Sequence, residues 1–483
     1  MSRRRLLAGA LSCLSLVLLG AGCAAIIGLD DEFKVGADGG ASRAGKDSGQ
    51  PGDDDDDDDD ATTAGDDGGP TATDGSSASF EAGAGWQVDE SFGSGGWIVL
   101  DTSVAASPPV VTADGNGALD LAAGDPRDGG VLLALGYDPA AGSPTFADST
   151  LGGSPGDIVE QNGAAYLVVS QVIAVTSTLS SSTVTAARFE DAGAPSITST
   201  VSGNFFTTCV GRRITGVAGE VVRAVGDCSV SGMGTENAFS FPLDAGADAA
   251  SVPTSTSLGG PPQLVTDVAA SDAGSWLVGC LHCTAPENQA PTGLFALVEG
   301  DGGIPSRGQY NPPNVATSLS AVLPQPDGDA WVFGISGGSF FTSYAIGAVG
   351  GTPDTGYSSL TPTPLAVGNG GSLQLEPASR TRLAGDRAGT YLLVGAIGGP
   401  AQVAVAVLEP SDGGFAFTDS FGSTAQTVAA PASASAVVVG GVVVMPVSSS
   451  SLDDFAYVAT TLTVAGGNRV GLLRLLRHTV RDD

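Results

Sequence analysis

Apolar and polar positions divide the 483-residue chain into three stretches. A largely apolar run covers Leu6–Leu19 behind Arg3, Arg4 and Arg5. From Gly28 to Gly85 apolar residues thin out: the only aromatics are Phe33 and Phe80, and Asp53–Asp60 is a continuous acidic run. From Trp86 onward short apolar runs alternate with clusters of Gly, Asp, Asn, Pro and Ser. No stretch after the leader repeats its apolar residues at 3.6, the helical period, whereas short runs bounded by turn formers read as β-strands.

The runs recur. Seven are led by glycine: Gly117–Gly124, Gly163–Val169, Gly219–Gly226, Gly274–Gly279, Gly328–Gly334, Gly389–Gly395 and Gly441–Met445. Successive leading glycines lie 46 to 61 residues apart. A second apolar run follows, as at Leu294–Val298, Val403–Val407 and Val470–Arg474, and Asp-Gly turns follow several of these. A period near 55 is too long for a solenoid coil and suits four short strands with their turns. One such sheet cannot bury both faces alone, and radial stacking buries them while leaving only short edges. The pattern predicts an all-β protein, a single β-propeller of seven four-stranded blades over residues 86–483.

Composition adds the solvent side. Residues 86–483 hold 35 acidic residues, 13 arginines and no lysine, a net charge near −22. That field opposes nucleic acid and anionic lipid and suits cationic partners. Residues 23–85 cannot bury enough apolar surface to offset their ordering entropy, so they are expected to be a disordered tether. Its r.m.s. reach is about 40–45 Å, and repulsion along the Asp run extends it.

Residues 1–22 carry the address. The run Leu6–Leu19 is shorter than the roughly 20 apolar residues of a bilayer span, and a positive start with a small-residue end marks a secretory leader. Gly20, Ala21 and Gly22 before Cys23 resemble the lipobox of bacterial lipoproteins, with Gly20 where Leu is usual. The resemblance implies acylation of Cys23 and attachment to a membrane through its acyl groups. Ala24, where Asp would favour inner-membrane retention, implies the outer membrane. Ser2–Leu7 also resembles a twin-arginine export signal.

Four cysteines remain beyond the leader and the anchor. An even remainder in an exported chain implies disulfides, and the expected pairs are Cys209–Cys228 across a hairpin and Cys280–Cys283 around a local loop. The alternative for Cys280, His282 and Cys283 is zinc, for which three candidates fall short of four ligands.

Two further resemblances concern the repeat. Asp89–Gly93 and Asp419–Gly422 resemble the Asp-x-Ser-Phe-Gly opening of delta-60 repeats, and Gln325–Gly334 resembles that family's Gln-Pro-Asp-Gly strand. The resemblance implies an FG-GAP-like propeller and supplies no catalytic residues. Asp114, Asn116 and Asp120 resemble the calcium loops of FG-GAP repeats, which makes Ca²⁺ the one candidate cofactor; the same residues also read as an Asp-Gly/Asn-Gly turn.

Catalytic patterns are sparse. The two histidines, His282 and His478, leave a Ser-His-Asp arrangement little to draw on, and no Gly-rich phosphate loop stands between a strand and a helix. The expected function is a non-enzymatic binding module of the cell envelope, with a protein or glycan ligand on its ring face. The alternative is an envelope hydrolase or lyase with carboxylates at the propeller mouth. Trp276 and Trp331, at equivalent positions of neighbouring units, are expected in the core.

Overall fold

The computed structural model describes residues 85–478 apart from interruptions, the longest being 244–255, 282–291 and 347–364. The leader, Cys23, the Asp53–Asp60 run, Gly219, His282, Cys283 and the motif at 419–422 lie outside the described residues. Every element among the described residues is a β-strand.

The chain enters through β1 (Gly85–Val88) and β2 (Trp97–Val104). Blade 1 holds β3 (Val110–Ala113), β4 (Leu119–Gly124), β5 (Gly130–Tyr137) and β6 (Ala147–Gly152). Blade 2 holds β7 (Ser154–Gln161), β8 (Ala164–Ala174), β9 (Ser180–Phe189) and β10 (Ile197–Ser202). Blade 3 holds β11 (Thr207–Thr215), β12 (Val222–Val230), β13 (Thr235–Leu243) and β14 (Thr256–Ser257). Blade 4 holds β15 (Gln263–Ser271), β16 (Gly274–Leu281), β17 (Thr292–Val298) and β18 (Ser306–Tyr310). A three-stranded sheet follows, β19 (Thr317–Pro324), β20 (Ala330–Ser336) and β21 (Ser339–Ile346), and then a hairpin of β22 (Leu365–Val367) and β23 (Gly371–Leu373). Blade 5 holds β24 (Arg382–Gly385), β25 (Tyr391–Ala396), β26 (Gln402–Ser411) and β27 (Gly414–Phe417), with β28 (Gln426–Ala429) also paired to β26. Blade 6 closes the ring: β29 (Ala434–Pro446), β30 (Asp454–Val464) and β31 (Gly467–His478) form one sheet with β1 and β2, both of which pair with β31.

The chain is a β-propeller of small antiparallel sheets. Six sheets reach four strands or more, where the repeat count predicted seven. The difference lies at β19–β21, which has three strands among the described residues; the hairpin β22–β23 pairs with itself and adds no fourth.

The seventh leading glycine also differs from the others. Gly163, Gly274, Gly328 and Gly389 stand in or beside the turn between the first and second strands of their sheets. Gly441 lies inside β29, directly after a bulge at Gly440. Elsewhere a bulge at Gly156, Thr266 or Ser320 precedes the turn glycine by seven or eight residues. The Gly440–Gly441 pair therefore marks the bulge of the first strand and not the turn.

Second and third strands are sandwiched between neighbouring sheets, so they need no polar face. Every residue of β4, β16 and β17 is buried. Each seam has its own apolar cluster: Val110, Leu133 and Leu167 between blades 1 and 2, Phe239 and Phe241 between blades 2 and 3, and Trp86, Val405 and Val458 between blades 5 and 6. A buried side chain of this size contributes about 1.5–3 kcal/mol. The outer strands β6 and β10 alternate half-buried and exposed residues.

The first strands pack on one another in sequence, β3 on β7, β7 on β11, β11 on β15, β15 on β19, β19 on β24, β24 on β29 and β29 on β3. They form the inner circle of the ring. Side chains beside the bulges bond across it. Asp157 accepts from Ile214 N (3.3 Å) and Asp267 from Val322 N (3.1 Å), each on the next first strand. Arg213 lies between these two carboxylates, 2.7 Å from Asp267 and 3.4 Å from Asp157. Arg382 Nε donates to Gly440 O (2.8 Å).

The Asp-x-Ser-Phe-Gly motif locks the closure. Asp89 Oδ1 accepts from Ser91 N (3.0 Å) and Ser91 Oγ (2.5 Å), and Oδ2 pairs with Arg474 of β31 at 2.7 Å. The Arg474 guanidinium stacks between the rings of Phe92 (4.3 Å) and Phe455 (4.4 Å). The motif thus joins the first described strand to the last.

Two outcomes are expected. A Cβ at Gly440 would fall 1.7 Å from Pro109 O, so Gly440→Ala should lower the unfolding free energy by about 1–3 kcal/mol, read as a lower urea midpoint at constant slope; an unchanged midpoint would show that β29 and β3 need not approach so closely. Asp89→Ala strands a mostly buried guanidinium and should cost about 3 kcal/mol, much of it regained in the double variant with Arg474→Met. Equal losses in the single and double variants would remove the lock.

Candidate functional site

Asp114, at the end of β3, opens a turn that recurs around the ring. Asp114 N donates to Ala118 O (2.8 Å) and Gly117 N to Asp114 O (3.2 Å). The same two bonds join Gln325 with Asp329 and Gly328, and Asp386 with Thr390 and Gly389. The fourth residue of each turn has φ near +90°, +90° and +79°, which glycine adopts without strain. The Asp114 carboxylate serves this turn, with Oδ1 accepting from Asn116 N (2.9 Å) and Ala118 N (2.7 Å). Asp386 likewise accepts from Thr390 N (2.9 Å). Gln325 closes the same backbone bonds without a carboxylate, so the turn itself requires no cation.

The turn borders a cleft of about 600 Å³ at the seam of blades 1 and 2. Asp114, Asn116 and Asp120 come from blade 1, and Glu160, Glu190 and Asp191 from blade 2; Leu135, Ala165 and Phe189 complete the lining. Asp120 is buried on β4, and its Oδ1 accepts from Gly136 N (2.8 Å). Burial pushes its carboxyl upward; the Gly136 N–H opposes this, and the charges of Asp114 and Glu160 add to it. Glu160 accepts from Gly163 N (2.6 Å), Asp191 from Gly193 N (2.9 Å), and Glu190 pairs with Arg188 at 3.4 Å. The cleft is a pocket of negative charge.

The structure thus brings the three calcium candidates to one cleft. Among the described residues no group of three or more His, Cys, Asp or Glu side chains is arranged to hold a metal ion. Glu160, Glu190 and Asp191 escape a reading of the sequence, because a seam between sheets brings them to Asp120. Glu160 carries one faint signal, its place three residues before a leading glycine.

Other sequence candidates are structural. Cys209 and Cys228 are register partners on β11 and β12 and form a disulfide. Cys280 is buried on β16 and disulfide-bonded, and Cys283 lies outside the described residues. Trp276 is fully buried and donates to Gly328 O (3.1 Å); Trp331 is half-buried against Phe415, at 6.1 Å between ring centroids.

No protein-family model and no curated protein matches the chain in sequence. Among solved structures it is similar to puromycin hydrolase, at 16% identity and TM-score 0.42 over 79% of this chain and 55% of that one. It is similar also to an α-L-arabinanase of Penicillium chrysogenum, at 10% identity and TM-score 0.40 over 78% and 97% of the two chains. A polysaccharide lyase, ulvanlyase, gives 10% identity and TM-score 0.39 over 78% and 94%. The chain spans about half the length of puromycin hydrolase.

The cleft makes a pH-dependent outcome measurable. The Asp120 carboxyl holds its proton to higher pH when folded than when unfolded. Its contribution is therefore full below the unfolded value of 3.8 and is lost as pH rises through the folded value. Asp120→Asn should melt above the wild type at neutral pH, with the difference shrinking toward pH 3.8. A variant that melts lower at neutral pH would mean that the carboxylate is stabilised by its surroundings.

Proposed function

We propose that the protein is a lipid-anchored, exported β-propeller that serves as a binding module of the cell envelope and takes a cationic ligand at the seam of blades 1 and 2. The observation that carries this reading is the acidic cleft. Five carboxylate side chains line about 600 Å³ of space, and a buried aspartate sits among them. The net charge near −22 on residues 86–483 reinforces attraction from a distance. Turns on rigid sheets hold the carboxylates in place before any ligand arrives, which lowers the cost of binding. A Lys- or Arg-rich segment of an envelope protein fits this chemistry. The leader and the Cys23 lipobox support attachment to a membrane, and Ala24 supports the outer one.

One observation favours the alternative, an envelope hydrolase or lyase. Asp120, with its carboxyl raised by burial, faces the charges of Asp114 and Glu160, and such a pair can divide the roles of acid and base. Turnover of an envelope polysaccharide, lost in Asp120→Asn, would decide for it.

The binding reading is tested with the full-length protein and a decalysine peptide at low salt. The double variant Asp120→Asn/Glu160→Gln should weaken binding about tenfold, with the difference vanishing at high ionic strength. Unchanged affinity would place the peptide on another acidic stretch, such as Asp53–Asp60, and overturn the cleft as the site. Mass spectrometry of the mature N-terminus tests the anchor: an acylated Cys23 is expected, and any other first residue ends that reading.

A further inference from the structure

A second cleft, of different chemistry, lies where the ring closes. It encloses about 470 Å³ between blade 6 and blade 1 and is lined by Thr102, Ser103, Arg127, Leu132, Phe146 and Asp148, with Pro126 at its edge. The volume falls within the about 300–1,000 Å³ of small-ligand pockets.

Both walls depart from regular pairing. On β2, Val99 pairs with Gly471 and Ser103 with Arg469, so Leu100, Asp101 and Thr102 stand opposite Val470 alone. On β6, Asp148 pairs with Leu132 and Gly152 with Gly130, so three residues stand opposite Val131. Bulges of this kind re-aim side chains and gather beside functional sites. Here they bring Thr102, Ser103 and Asp148 to the same cleft.

The polar groups are held in advance. Arg127 donates to both oxygens of Asp125 (2.6–3.1 Å) and to Asp148 Oδ1 (2.7 Å). Arg469 Nη1 donates to Ser103 Oγ (2.7 Å). Among the lining residues the one cation, Arg127, is paired with the one carboxylate, Asp148, so the charge of the lining is balanced. A charged ligand would have to compete with an existing ion pair. An uncharged ligand rich in hydroxyls would not: it can add hydrogen bonds to Thr102, Ser103, Arg127 and the second oxygen of Asp148. Phe146 is half-buried, with one side packed on the core of the seam, and it supplies the aromatic surface on which the C–H face of a sugar ring rests.

We propose that this cleft is a binding site for a neutral saccharide of one or two rings. The proposal stands apart from the acidic cleft, since no residue is shared.

The test uses the full-length protein in a zwitterionic detergent, with maltose, cellobiose and N,N′-diacetylchitobiose as neutral probes and galacturonic acid and spermidine as charged controls. Binding is read by saturation-transfer NMR and calorimetry. At least one neutral disaccharide should bind at about 10 mM or below, and Phe146→Ala and Thr102→Val should each weaken it, the former by about tenfold. Thr102→Val keeps the side-chain shape and decides the matter if Phe146→Ala fails to fold. Asp120→Asn, which alters only the other cleft, should leave the affinity unchanged. Absence of binding by every neutral sugar, tighter binding of galacturonic acid or spermidine, or full binding in Thr102→Val would each overturn the proposal.

Discussion

The close approach of the first strands around the axis governs the rest of the molecule. Sheets that stack radially must converge at the centre, where backbone meets backbone. Gly440 passes so near Pro109 O that no Cβ fits between them, and a Cβ at Gly156 would fall 2.3 Å from Gly211 O. Bulges on β7, β11, β15, β19 and β29 relieve the ladders at this radius and turn polar groups toward the next strand. Polar groups buried there need partners. The inner circle supplies them, with Asp157, Arg213 and Asp267 bonded to one another or to the backbone of the following strand.

Closure imposes the second demand. A ring of sheets made from one chain has two ends, and here both lie in blade 6. β1 and β2 pair with β31, so separating them would expose Trp86, Trp97 and the seams on both sides of the blade. The Asp89–Arg474 pair, enclosed by Phe92 and Phe455, is a polar lock on an apolar join. Both partners are mostly buried, so the pair is satisfied only while β1 and β31 stay together. The Phe-Gly motif therefore has a mechanical explanation.

Seams are also where chemistry gathers. The acidic cleft of blades 1 and 2 and the charge-balanced cleft of blades 6 and 1 are both lined by residues of two neighbouring sheets. Their characters differ because their walls do. One is lined by five carboxylates, most of them bonded to backbone N–H groups, the other by a single carboxylate, Asp148, paired with Arg127.

Legibility in the sequence follows burial. Where the second or third strand of a blade is covered on both faces, this writes a continuous apolar run that can be read without a structure: Leu119–Gly124, Gly274–Gly279 and Leu294–Val298 all fall on such strands. The outer strands escape notice because they need only one weakly covered face, and Ala147–Gly152 is mostly polar or small. The repeat spacing was enough to imply small sheets in a ring, and the tight turns were visible as leading glycines. Gly441 reads like the other leading glycines because a glycine pair at a bulge, where Gly440 lies against Pro109 O, looks the same in sequence as a glycine required by a turn. The turn at Asp114 carries both readings, calcium loop and backbone turn, since an aspartate that accepts from backbone N–H groups has the spacing of one that offers oxygen to a metal. Only the tertiary structure placed Glu160 and Asp191 beside Asp120, or Thr102 beside Asp148. Local sequence sets which faces are apolar and where the chain turns, but which side chains meet across a seam depends on how two sheets, distant in sequence, pack together.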